Sequence, residues 1–244
     1  MKKIHIRTKQ AIGMLIAVST GLAFMLLLFS ALDLDTPPAA DYIRHAITDT
    51  GSINIPSAIL LDYRGFDTLG EASVIFTAAT VVLVILGTPR FTEPDNTLGI
   101  LTRRAIAYLL PLFLVFPVYV VLNGHLSPGG GFQGGVSLSV LVILLHITYG
   151  SRFTSQRISM RLLGISEYLS AIAFISVGIV GIAQGSMYLS NAAAGIPLGS
   201  PGSLLSAGLI PVINIIVGCK VASGLSSIFY ALSAYDSNTP DGTP

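Results

Sequence analysis

The 244-residue chain is 52% hydrophobic and 10% charged, with 25 glycines and a formal net charge of +1. Its mean hydropathy of +0.77, with several apolar runs of spanning length, defines an all-α integral membrane protein. The near-neutral balance argues against a nucleic-acid partner. The lone cysteine, Cys219, rules out an internal disulfide, a cysteine-built metal cluster and a redox pair, and inside an apolar run it reads as a small packing residue.

Residues 1–10 contain Lys2, Lys3, Arg7 and Lys9, and an apolar run follows at 11–32. A cleaved signal peptide has an apolar core of about 7–15 residues, whereas this run is long enough to cross a bilayer, so the sequence predicts a retained first helix. Next, Pro37-Pro38 predicts the start of a short helix through Ile47, with Gly51 ending it. Further spans are predicted at 71–86, 101–122, 133–149, 162–184 and 204–230, six in all. The linker 87–96 carries Pro89 and Pro94. It divides the chain into a two-helix part, 1–95, and a four-helix part, 96–235, followed by a polar tail, 236–244.

Within the third span, Pro111 and Pro117 each remove a helical hydrogen bond that a neighbouring helix must replace. In the fifth, Gly164, Glu167, Ala171, Phe174, Gly178, Gly181 and Gly185 recur in steps of three and four. That small-residue seam, with Gly181-x-x-x-Gly185 inside it, predicts close approach of another helix. The sixth span carries Pro211, Asn214, Gly218, Lys220 and Gly224, polar content that predicts a packing helix.

Placing the N-terminus inside puts Lys2, Lys3, Arg7, Lys9, Arg90, Arg103, Arg104, Arg152, Arg157 and Arg161 on the inner side. Only Arg44 and Arg64 lie outside, and Lys220 lies within a span. The bias predicts that both termini are cytoplasmic.

The junction between the third and fourth spans reads Asn123-Gly124-His125-Leu126-Ser127-Pro128-Gly129-Gly130-Gly131-Phe132-Gln133-Gly134-Gly135. Its glycines permit left-handed backbone and close approach of other segments, Pro128 fixes a corner, and Gly134 and Gly135 open the next helix at a tight contact. Gly129-x-Gly131-x-x-Gly134 matches a dinucleotide fingerprint formally, but no strand precedes it and membrane spans flank it, so a phosphate cradle is excluded. The run from Gly124 to Gly135 resembles the signature of the MnhB-like subunits of Mrp-type multisubunit cation/proton antiporters, and also of the related subunits of energy-converting membrane-bound hydrogenases. A second stretch, 52–71, contains Asp62-Tyr63-Arg64-Gly65-Phe66-Asp67-Thr68 and resembles a motif near the end of the antiporters' large subunit. The hydrogenases carry that motif in a small separate subunit, so the chain looks like a fusion of the two parts. Asp62, Arg64 and Asp67 form its outer motif, which can also act as a cation funnel.

Five titratable side chains fall in or at the edge of spans: Glu71, His125, His146, Glu167 and Lys220. Each costs about 2.5–3.5 kcal/mol to insert, so each is a functional candidate. Lys220 lies about 16 Å from the inner end of its predicted helix, too deep to snorkel comfortably. It reads as a proton-carrying or charge-compensating group, or as a static partner for a neighbouring subunit's carboxylate. Glu167 and His146, at similar predicted depth on consecutive helices, can exchange protons with the cytoplasm. Alternatively Glu167 pairs with an inner arginine and His146 bonds a carbonyl. Thr68-x-x-Glu71 reads as a capping box, and His125 as either an ion gate or a loop-shaping hydrogen-bonding group.

The resemblance implies a membrane component of a sodium/proton antiporter module in the cell membrane, with other membrane subunits and lipid as partners and Na+ and H+ as the transported ions. The same module within a hydrogenase-type complex, or a purely structural scaffold, are the alternatives. No nucleophile–base set, metal-ligand cluster or cofactor motif points to an enzyme.

Overall fold

The computed structural model describes residues 39–87 and 98–238, with side chains as far as 234, and isolated helical positions at 18, 19, 22 and 25. The rest of the predicted first span, the proline-bearing linker and the tail beyond 238 lie outside the described residues. Residues 1–41 and 42–244 are separate compact units.

Helix α1 (Ala39–Thr50) ends where Gly51 adopts φ +70°, a left-handed stop. The short α2 (Ile55–Ala58) carries Pro56 in its first turn, where the missing N–H leaves no bond unmade. The backbone then widens into one π turn, Ile59–Tyr63. Thr68 repairs it, its hydroxyl donating to the Leu60 carbonyl at 2.6 Å. Helix α3 (Gly65–Leu86) therefore starts at Gly65, not near residue 71. This overturns the capping-box reading: Thr68 lies a turn inside the helix and donates backwards, and Glu71 is exposed in the second turn.

Helices α4 (Ile100–Leu122) and α5 (Gly131–Tyr149) flank the glycine junction. After Gly150 at φ +89° the short α6 (Ser151–Arg157) leads to α7 (Met160–Ala183), capped by the Ser159 hydroxyl accepting from the Leu162 amide. The connection 184–209, with one 3-10 turn at Ala192–Ala194, delivers the chain to α8 (Ile210–Asn238). Pro211 thus sits in the first turn of the span rather than deeper inside it, because the predicted start at 204 is still loop.

Five of these helices, α3, α4, α5, α7 and α8, are long and apolar enough to cross a membrane. Helix α8 is the centre: it is the most buried of the five and α3 the least, and it packs on α3, α4, α5 and α7. Its inward residues Ile213, Val217 and Val221 join Phe174, Leu61, Leu189 and Ala207 in the core. The outward faces of α3, α4 and α7 are apolar and exposed, as lipid or neighbouring subunits require. Cys219 faces outward from α8 as well, which corrects its reading as a packing residue.

The seam of α7 serves two purposes. Near Glu167 and Phe174 it faces α8, whereas Gly178 takes the Tyr188 ring and Gly181 the backbone of Met187 and Ser190. Gly185 lies beyond the helix at φ +76°. The upper seam therefore receives the chain's own returning loop, not a second helix.

Candidate functional site

The glycine junction is held by side chains from both of the sequence's parts. Asn54 donates through Nδ2 to the carbonyls of Gly124 at 2.7 Å and Ser127 at 2.8 Å. The Ser57 hydroxyl donates to Gly124 at 2.6 Å and that of Ser52 to the His125 carbonyl at 2.9 Å. That carbonyl also accepts from the amides of Ile53 and Asn54. From the opposite side, Asn214 on α8 accepts from the Gly131 amide at 2.7 Å. Gly130, at φ +145°, adopts a backbone that disfavours any side chain, and its neighbours Gly134 and Gly135 lie directly on α4 and α8.

His125 sits under this clamp, wholly buried, and its main chain rather than its ring carries the hydrogen bonds. The ring lies beside the backbone of Ser203 and Leu204 without a bond of normal geometry. Burial pushes the imidazole below the usual histidine range, which those backbone groups partly oppose.

The outer motif splits. Arg64 and Asp67 form an exposed ion pair at 2.5 Å, one turn apart. Asp62 turns instead into a cleft of about 560 Å³ that it shares with Asp49, Tyr63, Tyr188 and Ser190. Burial lifts its carboxyl to about 6, against opposing interactions with Asn191. Tyr63 donates to Asp49 at 2.7 Å; burial, and then that bond, push its phenol up.

The deepest charges meet between α3, α7 and α8. Lys220 stands ten residues into α8, about 15 Å from its first residue, and is 3% exposed. Its Nζ lies 4.5 Å from the centroid of the Phe76 ring, has no hydrogen-bond partner and has no carboxylate in ion-pairing reach among the described residues. Glu167, 4% exposed, interacts electrostatically with Lys220 and leaves Oε1 without a hydrogen bond. That oxygen faces Gly224, one turn along α8, where a Cβ would lie 3.4 Å away. Phe76 is in turn met edge-on by Tyr168, with centroids 6.0 Å apart. Ser223 donates to the Cys219 carbonyl at 2.8 Å, beside the lysine.

Of the five titratable candidates, the fold thus brings Glu167 and Lys220 together. It does not bring Glu167 to His146, which contacts Ser233 at 3.1 Å and lies edge-on to Phe229 and Tyr230 on α8. Sequence reasoning missed Ser52, Asn54 and Ser57, although three small polar residues in an otherwise apolar stretch are a visible signal. Asn214 reads in the sequence only as polar content, and Phe76 carries no signal, because nothing in one sequence says which ring meets a lysine.

A helical bundle with an apolar perimeter, and a central apolar helix that carries the buried Asn214 and Lys220, defines a multi-pass membrane protein. Residues 101–227 match the family model described as a domain related to the MnhB subunit of Na+/H+ antiporter, and residues 7–104 match the MbhE model, which describes the E component of MBH. The chain belongs to the family of MnhB-related domains. It is 31% identical over 233 residues to an uncharacterized protein of Methanocaldococcus jannaschii, covering 84% of this chain and 86% of that one. A probable K+/H+ antiporter A/B protein of Rhizobium meliloti is 26% identical over 185 residues, 64% of this chain and 18% of that protein. Among solved structures, a chain of the membrane-bound sulfane sulfur reductase, an archaeal respiratory membrane complex, superposes with a TM-score of 0.63 at 26% identity, covering 89% of this chain and 97% of that one. The clamp therefore joins the segment matching the MbhE model to the one matching the MnhB model.

Proposed function

We propose that this chain is a membrane component of a cation/proton antiporter-type complex, and that Glu167 and Lys220 lie on its ion path. The observation that carries the reading is the buried pair itself. Both groups are almost fully enclosed, yet each keeps a polar atom without a hydrogen bond. A buried unsatisfied group costs about 1–3 kcal/mol, more when charged, and a pure scaffold gains nothing in return. Membership of the MnhB-related family supports Na+ and H+ as the exchanged ions. The matching MbhE model and the respiratory-complex neighbour support a second setting, in which the same module is driven by a redox arm. The test is Glu167→Gln, with sodium flux driven by a pH gradient in vesicles and normalised to assembled complex. The ion-path reading expects at least a tenfold loss, whereas unchanged flux would leave the scaffold reading.

Orientation belongs to the same proposal. Among the described residues, Arg103, Arg104, Arg152, Arg157 and Arg161 lie at the end opposite the glycine junction, and only Arg44 and Arg64 lie at the junction end. The junction then faces outwards and both termini face the cytoplasm. Cysteine introduced at Ser155 is expected to react with membrane-impermeant maleimide only in inverted vesicles, and reaction in intact cells would reverse the orientation.

A further inference from the structure

We propose that Glu167 is the ligand of the transported monovalent cation and that Lys220 is its built-in competitor, held on the Phe76 ring while the cation occupies the carboxylate. This rests on the ion-path reading above. Two buried opposite charges on packed helices ordinarily close into a direct pair, since desolvation strengthens their attraction. Here they do not: the ammonium lies over the Phe76 ring at 4.5 Å while Glu167 Oε1 faces Gly224 with no hydrogen-bond partner. The ring face is a second resting place for a cation, and Tyr168 holds it edge-on. The lysine has four flexible methylenes with which to move between ring and carboxylate.

Charge arithmetic selects the class of ligand. Among the described residues Glu167 is the carboxylate that interacts with Lys220, so beside the ring-held ammonium a bound alkali cation leaves one net positive charge and a divalent ion two, which selects the monovalent class. Binding of an alkali cation and contact with Lys220 are then mutually exclusive. The lysine's return to the carboxylate expels the cation, and its retreat to Phe76 readmits one.

The test measures the half-saturating Na+ concentration for exchange in vesicles carrying the whole complex. Phe76→Leu removes the ring, leaves the ammonium on Glu167 for longer, and is expected to raise that concentration about fivefold, the equivalent of about 1 kcal/mol of cation–π attraction, with the maximal rate largely kept. Phe76→Trp keeps a ring face and is expected to stay at or below the wild-type value. Lys220→Ala removes the competitor and is expected to lower both the half-saturating concentration and the maximal rate, because nothing expels the bound cation. Half-saturation at the wild-type value in the Phe76→Leu or the Lys220→Ala complex overturns the competitor. Wild-type flux from Glu167→Gln instead overturns the ion path on which it rests.

Discussion

Gly135→Val is expected to reduce the yield of assembled complex by at least tenfold. A Cβ at residue 135 would lie 2.7 Å from the Gly218 carbonyl oxygen and 2.8 Å from Val221 Cβ, and neither can move without moving α8. Overpacking of a tight core costs about 1–3 kcal/mol, and the upper end applies because the obstacle is backbone on the central helix. Asn54→Ala tests the other side of the same junction. It removes the 2.7 Å and 2.8 Å bonds to Gly124 and Ser127; Ser57 still donates to the Gly124 carbonyl, so the Ser127 carbonyl is the one left short of this donor, an effect of about 2 kcal/mol. The smaller loss is expected as a lower thermal midpoint of the assembled complex rather than failed assembly. Recovery of both variants on a native gel with wild-type yield and midpoint would refute the close-packing account of the junction.

The legibility of this chain in its sequence is uneven for physical reasons. Apolar runs set the membrane helices to within a few residues at 101–122, because hydropathy is a property of the run itself. They failed by six residues at α8 and at α3. The stretch before Ile210 is apolar loop, and α3 gains its first turn from Thr68 bonding back to a π turn, which no periodicity announces. The glycine junction was legible as a close-packing device, but its partners were not, since a glycine reports the need for space and not what fills it. Glu167 and Lys220 were each visible as costly intramembrane charges. Their juxtaposition depended on the register of α7 against α8, a tertiary quantity.

The proposed ion path turns on the charge of Lys220, buried in the middle of α8. The Phe76 ring against its ammonium, with the lysine 3% exposed, makes that charge expensive to keep. Loss of it leaves the Glu167 carboxylate without its counter-charge. Lys220→Arg keeps a permanent positive charge that cannot readily release a proton. It is expected to retain much of the exchange if the residue compensates charge, and to lose it if the residue carries protons. The decisive measurement is pH-gradient-driven sodium flux from Lys220→Ala in vesicles, divided by the amount of assembled complex on a native gel. The account predicts normal assembly with flux reduced at least tenfold, whereas wild-type flux per assembled complex would contradict it.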